Sequence, residues 1–136
     1  MNKVTIILPA LNEAKAIGKV IDEIPTLEGY QVEILVVDNG STDNTAEIAR
    51  EKGAVVITEH RKGKGRAMRT AFEQVDADFI FMIDADYTYP ATYIPEMLVL
   101  LNRGYPVVTG SRLKGKMEKG ATVSYTHLTL PTILLV

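Results

Sequence analysis

The sequence predicts an α/β fold: a three-layer sandwich with helices on both faces of a mostly parallel central sheet. Apolar runs of strand length alternate along the chain with segments whose apolar residues recur at helical spacing. The strand runs are apolar nearly throughout, which is the pattern of parallel strands buried on both sides. A length of 136 residues provides one such core and not two.

Val4 to Leu8 reads as the first strand, stopped by Pro9. A helix should follow, with Ala14, Ile17, Val20, Ile21 and Ile24 on one face, ended by Pro25 and Gly29. Val32 to Val37 is the second strand. Asp43 or Ser41 is placed to cap a helix from Thr45 to Lys52, with Gly53 just beyond its end. Ala54 to Thr58 is a third, shorter strand. A basic loop from His60 to Arg66 leads into a helix with a stripe of Ala67, Met68, Ala71, Phe72 and Val75. Phe79 to Ile83 is the fourth strand. Pro90 and Pro95 bracket the start of a helix carrying Ile94, Met97, Leu98 and Leu101, and Val107 to Thr109 is a fifth strand.

The composition excludes several classes. A net charge of −2 gives no bulk drive toward nucleic acid or anionic membrane. With no cysteine there is no disulfide, thiolate metal site or cysteine nucleophile. The first residues are not a secretory signal, and no apolar stretch is long enough to span a bilayer. His60 and His127 lack zinc-ligand spacing. A Walker A loop and a Gly-x-Gly-x-x-Gly after the first strand are both absent.

The chemistry gathers at the carboxyl ends of the strands, where open α/β sheets bind ligands. The fourth strand runs into Asp84-Ala-Asp86. If the backbone stays extended there, both carboxylates point the same way and repel unless a cation lies between them. A hard divalent ion, Mg²⁺ or Mn²⁺, shared with a diphosphate satisfies that need; a solvated acidic turn is the plainer alternative. Pro9-Ala-Leu-Asn-Glu13 follows the first strand and Asp38-Asn-Gly-Ser-Thr-Asp43 the second. Each is also an ordinary turn with helix-start residues. Together, with the basic loop, they describe a pocket for a nucleotide.

The order of these motifs resembles the family 2 glycosyltransferases of the GT-A fold, from about Lys3 to Lys119. The carriers are Pro9-Ala-Leu-Asn-Glu13, Val36-Val-Asp-Asn-Gly-Ser-Thr-Asp-Asn-Thr45, Gly63-Lys-Gly-Arg66, Asp84-Ala-Asp-Tyr-Thr-Tyr-Pro90 and Gly110-Ser-Arg112. Within the family the set is most similar to the polyprenyl-phosphate sugar transferases, which move a hexose from a UDP- or GDP-sugar to a lipid phosphate. The resemblance implies that Pro9, Asn12, Glu13 and Asp38 line the nucleoside pocket. It implies that Asp84 lies near ribose and metal, that Asp86 ligates the metal, and that Lys64 lies near the diphosphate. Arg112 would meet the diphosphate or the acceptor phosphate. Leu11, Tyr87-Thr88 and Ala91 depart from the family's usual residues.

Residues 1–122 are therefore expected to form the amino-terminal part of a nucleotide-sugar-binding domain. Val123 to Val136, uncharged and abruptly apolar, reads as a non-native or disordered tail, a translated sequencing-adapter scar; a native edge strand is the alternative. The expected location is cytoplasmic, at the cytoplasmic face of the membrane for a full-length protein. Two other functions compete. A sugar nucleotidyltransferase would want a glycine-rich, arginine-containing loop after the first strand. A non-catalytic nucleotide-binding module would keep the pocket without the transfer.

Overall fold

A computed structural model of the chain describes residues 2–86, 91–104, 107–109 and 132–135. The strands are β1 (Asn2–Ala10), β2 (Tyr30–Asp38), β3 (Val55–Thr58), β4 (Phe79–Met82), β5 (Val107–Thr109) and β6 (Thr132–Leu135). The helices are α1 (Ile17–Asp22), α2 (Thr45–Glu51), α3 (Lys64–Gln74) and α4 (Ile94–Asn102), the last preceded by a 3-10 turn over Ala91–Tyr93. All strand pairs are parallel, in the order β3-β2-β1-β4-β6-β5. The mostly parallel sheet read from the sequence is thus the observed one.

Successive β1 side chains go to opposite faces. Val4, Ile6, Leu8 and Ala10 join one core with Ile17, Val20 and Ile21 of α1, Ala49 of α2, and Ile94, Met97 and Leu101 of α4. Ile7 joins the other core with Leu35, Val37, Ile80 and Met82, which Ala67 and Ala71 of α3 cover. The two small residues let α3 approach the sheet closely. Thr5 is buried at 1% exposure, and its hydroxyl has no hydrogen-bond partner among the described residues.

Several boundaries differ from the sequence reading, each for a local reason. The first helix begins at Ile17, not near Ala14, because Asn12 is left-handed at φ 54° and the following residues are bonded elsewhere. The N-cap of α2 is Asn44 and makes no side-chain cap bond. Asp43 Oδ1 accepts the Thr45 N–H instead, and Ser41 Oγ is engaged by Asn12. At the other end of α2, Gly53 (φ 90°) donates to the Arg50 carbonyl and Ala54 to that of Ala49, a Schellman closure. Helix α3 starts at Lys64, directly after Gly63, so the basic loop is shorter than expected.

Thr132–Leu135, within the segment read as a scar-like tail, pairs with β4 on one side and β5 on the other. Without it the edge of β4 away from β1 would lack its ladder partner, and an apolar tetrapeptide meets that demand. Residues 123–131 lie outside the described residues.

Candidate functional site

The strand order places the site. The chain runs from β1 outward to β2 and β3, then returns to the opposite side of β1 for β4. The order reverses between β1 and β4, and a crevice opens beyond their carboxyl ends, as such switch points require. The crevice measures about 410 Å³. β1 contributes Pro9 and Ala10, and the following loop Leu11 and Glu13. Asp84, Ala85 and Asp86 line it from the end of β4, Asn39 from β2, Gly63 from the loop before α3, and Ala67 from α3 itself.

The acidic pair reaches the crevice by a different route from the expected one. The extended backbone ends with Ile83, whose N–H donates to the Ile7 carbonyl at 3.0 Å. Ala85 and Asp86 form a turn that packs the Ala85 methyl into the core at 2% exposure. Both carboxylate residues still line the crevice.

Two loops are lashed together at its rim. Asn12 N–H donates to Ser41 Oγ at 2.9 Å, Glu13 N–H to Thr45 Oγ1 at 2.9 Å, and Ala14 N–H to Asp43 Oδ2 at 3.2 Å. In return, Thr42 N–H donates to Asn12 Oδ1 at 2.8 Å. The Thr45 hydroxyl donates to Asp43 Oδ1. That bond, with the others Asp43 accepts, holds its carboxyl below the usual range.

The sequence-predicted site residues therefore divide. Pro9, Glu13, Asp84 and Asp86 share the crevice. Asn12 and Asp38 are not among its described lining residues. Asn12 braces the neighbouring loop, and Asp38 is buried with Oδ1 accepting the Ser41 N–H at 3.0 Å. Lys64 opens α3. Arg112 lies outside the described residues.

Two residues that sequence reasoning did not single out organise the far wall. Asn39 donates to the Glu59 carbonyl at 2.9 Å and the Arg61 carbonyl at 2.7 Å, and accepts the Gly63 N–H at 3.1 Å. The Glu59 carboxylate accepts bonds from the Arg61 backbone N–H, the Arg61 guanidinium and the Thr70 hydroxyl. The Arg61 guanidinium, Thr70 and the Arg61 N–H hold the Glu59 carboxyl far below its ordinary range. The only signal of this in the sequence is a lone acidic residue against a basic run.

The crevice gathers three acidic side chains, Glu13, Asp84 and Asp86. Burial, then the charges of Asp86, Asp43 and Asp84, push the Glu13 carboxyl above its ordinary range. Among the described residues no three His, Cys, Asp or Glu side chains form a group able to hold a metal ion. The donor set fits an ion that takes one or two protein carboxylates and completes its shell with phosphate oxygens and water, as Mg²⁺ does.

Comparison with known proteins agrees with this geometry. Residues 5–134 match the family described as glycosyl transferase family 2. Protein RfbJ of Shigella flexneri is 43% identical over 114 residues, covering 80% of this chain and 84% of RfbJ. The dolichyl-phosphate hexose transferase of Haloferax volcanii is 39% identical over 129 residues, 90% of this chain and 56% of that protein. The glucosyl-3-phosphoglycerate synthase of Mycobacterium tuberculosis, solved with Mn²⁺, uridine diphosphate and glucosyl-3-phosphoglycerate, superposes with a TM-score of 0.70 at 31% identity. That match covers 80% of this chain and 43% of the synthase. The chain thus spans about half the length of these last two relatives.

Proposed function

Because the chain belongs to glycosyl transferase family 2, we propose that its crevice holds the diphosphate end of a UDP- or GDP-sugar, from which a hexose passes to a polyprenyl phosphate. The observation that carries this reading is the meeting of Glu13, Asp84 and Asp86 at the β1–β4 switch point. Carboxylates crowded at a ligand-binding strand edge call for a cation, and a diphosphate supplies the ligands that the protein does not.

In this reading Asp84 and Asp86 hold Mg²⁺ or Mn²⁺, with Asp86 as the direct ligand. Bound there, the ion would neutralise charge on the departing diphosphate. Pro9 and the Glu13 side of the crevice take the nucleoside. Asp38 acts one layer back, through the loop its carboxylate holds at Ser41. Lys64 and Arg112 are assigned to phosphate oxygens by their motifs, Arg112 for its planar fork. An acceptor phosphate oxygen forms the new bond to the anomeric carbon as the bond to the diphosphate oxygen breaks. The nucleoside diphosphate leaves, and the configuration inverts. An acceptor already ionised needs no strong general base.

The lipid-phosphate acceptor is supported by the dolichyl-phosphate hexose transferase relative. The metal is supported by the Mn²⁺ complex of the synthase. No helix among the described residues is long and apolar enough to cross a membrane. The reading places the chain at the cytoplasmic face, where such a lipid phosphate would be met.

Calorimetric titration of UDP-glucose and GDP-mannose, each in Mn²⁺ and in EDTA, tests the reading. One donor should bind in Mn²⁺ and lose about tenfold or more in affinity in EDTA, a loss of about 1.4 kcal/mol. Equal affinity in both conditions would argue for a metal-free site, and binding of neither would remove the nucleotide-sugar assignment.

A further inference from the structure

We infer that Asn39 is a positioning residue: its carboxamide sets the place of the β3–α3 loop and so fixes the wall of the crevice opposite Asp84 and Asp86. The inference rests on the nucleotide-diphosphate reading for its consequence, and on hydrogen-bond geometry alone for its existence.

Asn39 stands at the end of β2, its own N–H donating to the Ala10 carbonyl at 2.9 Å. Its side chain reaches across to a segment 20 to 24 residues further along the chain. Both amide donors are engaged there, at 2.9 Å on the Glu59 carbonyl and 2.7 Å on the Arg61 carbonyl. The side-chain oxygen takes the Gly63 N–H at 3.1 Å. A carboxamide has two donors and one acceptor oxygen, so this loop uses every kind of group that Asn39 offers. No other residue type of this size presents that pattern. Aspartate keeps the acceptor and loses both donors.

Three of the bonds that hold this loop come from the one Asn39 carboxamide. Gly63 stands at φ 119°, a conformation that L side chains avoid, and both Asn39 and Gly63 line the crevice. From the other side Glu59 holds Arg61 and is tied to α3 through Thr70. Release of Asn39 leaves Gly63 to move while Glu59 stays anchored. The crevice then changes width on the side facing the acidic pair. A diphosphate bridging from those carboxylates to that wall would lose its fit.

The test uses the full chain as wild type, Asn39→Ala and Asn39→Asp. Amide hydrogen exchange is followed without ligand, and Mn²⁺-UDP and Mn²⁺-GDP titrations follow. In Asn39→Ala, exchange across residues 60–66 should rise about tenfold while β1 and β2 amides keep their protection, and nucleotide affinity should fall about tenfold. Asn39→Asp should behave alike at neutral pH and partly recover loop protection on acidification, when its protonated carboxyl again donates to a carbonyl. Recovery with pH is not expected of a variant that merely destabilises the fold. Unchanged exchange at 60–66, or loosened exchange with wild-type affinity, would overturn the inference. If the wild type binds neither nucleotide, the function proposed above fails, and the exchange data still decide whether Asn39 fixes the loop.

Discussion

Asn12 and Thr42 lie 30 residues apart in sequence, and the Asn12 side-chain oxygen accepts the Thr42 N–H at 2.8 Å. The same oxygen takes the Thr42 hydroxyl at 3.3 Å. Asn12 does this from a left-handed backbone, φ 54°, which asparagine tolerates better than most residues. Replacing Asn12 with Ala should lower stability by about 1–2 kcal/mol, through the lost bonds and the strain. Asn12→Gly relieves the strain alone and should recover about 1 kcal/mol of that loss. Urea midpoints for the two variants check this; wild-type stability in both would show that the link contributes nothing.

Thr5 offers the opposite change. Its hydroxyl is buried and has no partner among the described residues, so burial removes its water with no compensating bond from them. Thr5→Val keeps the shape and removes the polar atom. Stability should rise by about 1 kcal/mol, read from thermal or denaturant unfolding. A loss would mean that a water or a neighbouring group satisfies the hydroxyl in solution.

Glu13 makes stability depend on pH. Its carboxyl titrates above the ordinary value of 4.5 because of burial and the charges of Asp86, Asp43 and Asp84. The folded state therefore holds the proton more tightly than the unfolded chain. This contribution favours folding at low pH and fades as pH rises from the ordinary value through the raised one. Above that window the ionised carboxylate destabilises the fold. Glu13→Gln should accordingly raise the melting temperature at neutral pH, with the gain shrinking as the pH is taken below 4.5. A pH-independent difference, or a loss at neutral pH, would contradict the electrostatic cause.

For Asp86 the measurement is ion dependence. Asp86→Asn keeps size and polarity but removes one of the charges crowded at the crevice. In Mn²⁺ the variant should bind nucleoside diphosphate about tenfold or more weakly than wild type, and the difference between Mn²⁺ and EDTA should largely vanish. An undiminished Mn²⁺ effect would move the ion away from this residue.

The fold was legible in the sequence because its signals are local. The apolar run Val4 to Leu8 lies inside β1, and Val107 to Thr109 is β5 residue for residue. Gly53 ends α2 as its position suggested. The site was legible in part. Asp84, Asp86, Glu13 and Pro9 were identifiable because they follow strand ends directly, and topology then brings those ends together. The functions of Asn12, Asp43 and Thr45 were not, because their partners lie 29 to 32 residues away and no local window contains both ends of those bonds. The bond that Asp38 Oδ1 accepts from the Ser41 N–H belongs to a tight local turn that the apolar pattern does not mark. The pairing of Thr132–Leu135 with β4 depends on an edge left open elsewhere in the sheet, which the tetrapeptide's own composition does not announce.

The lashing of the β1 and β2 loops bears on how such a site can be altered. Asn12, Ser41, Thr42, Asp43 and Thr45 each make a bond across to the opposite loop, and together these bonds hold Glu13 at the crevice. A graft that exchanged residues 11–14 alone would import side chains whose counterparts stay behind at 41–45. The two segments form a matched set, and a change of specificity at this rim has to be transplanted, or selected, as a pair.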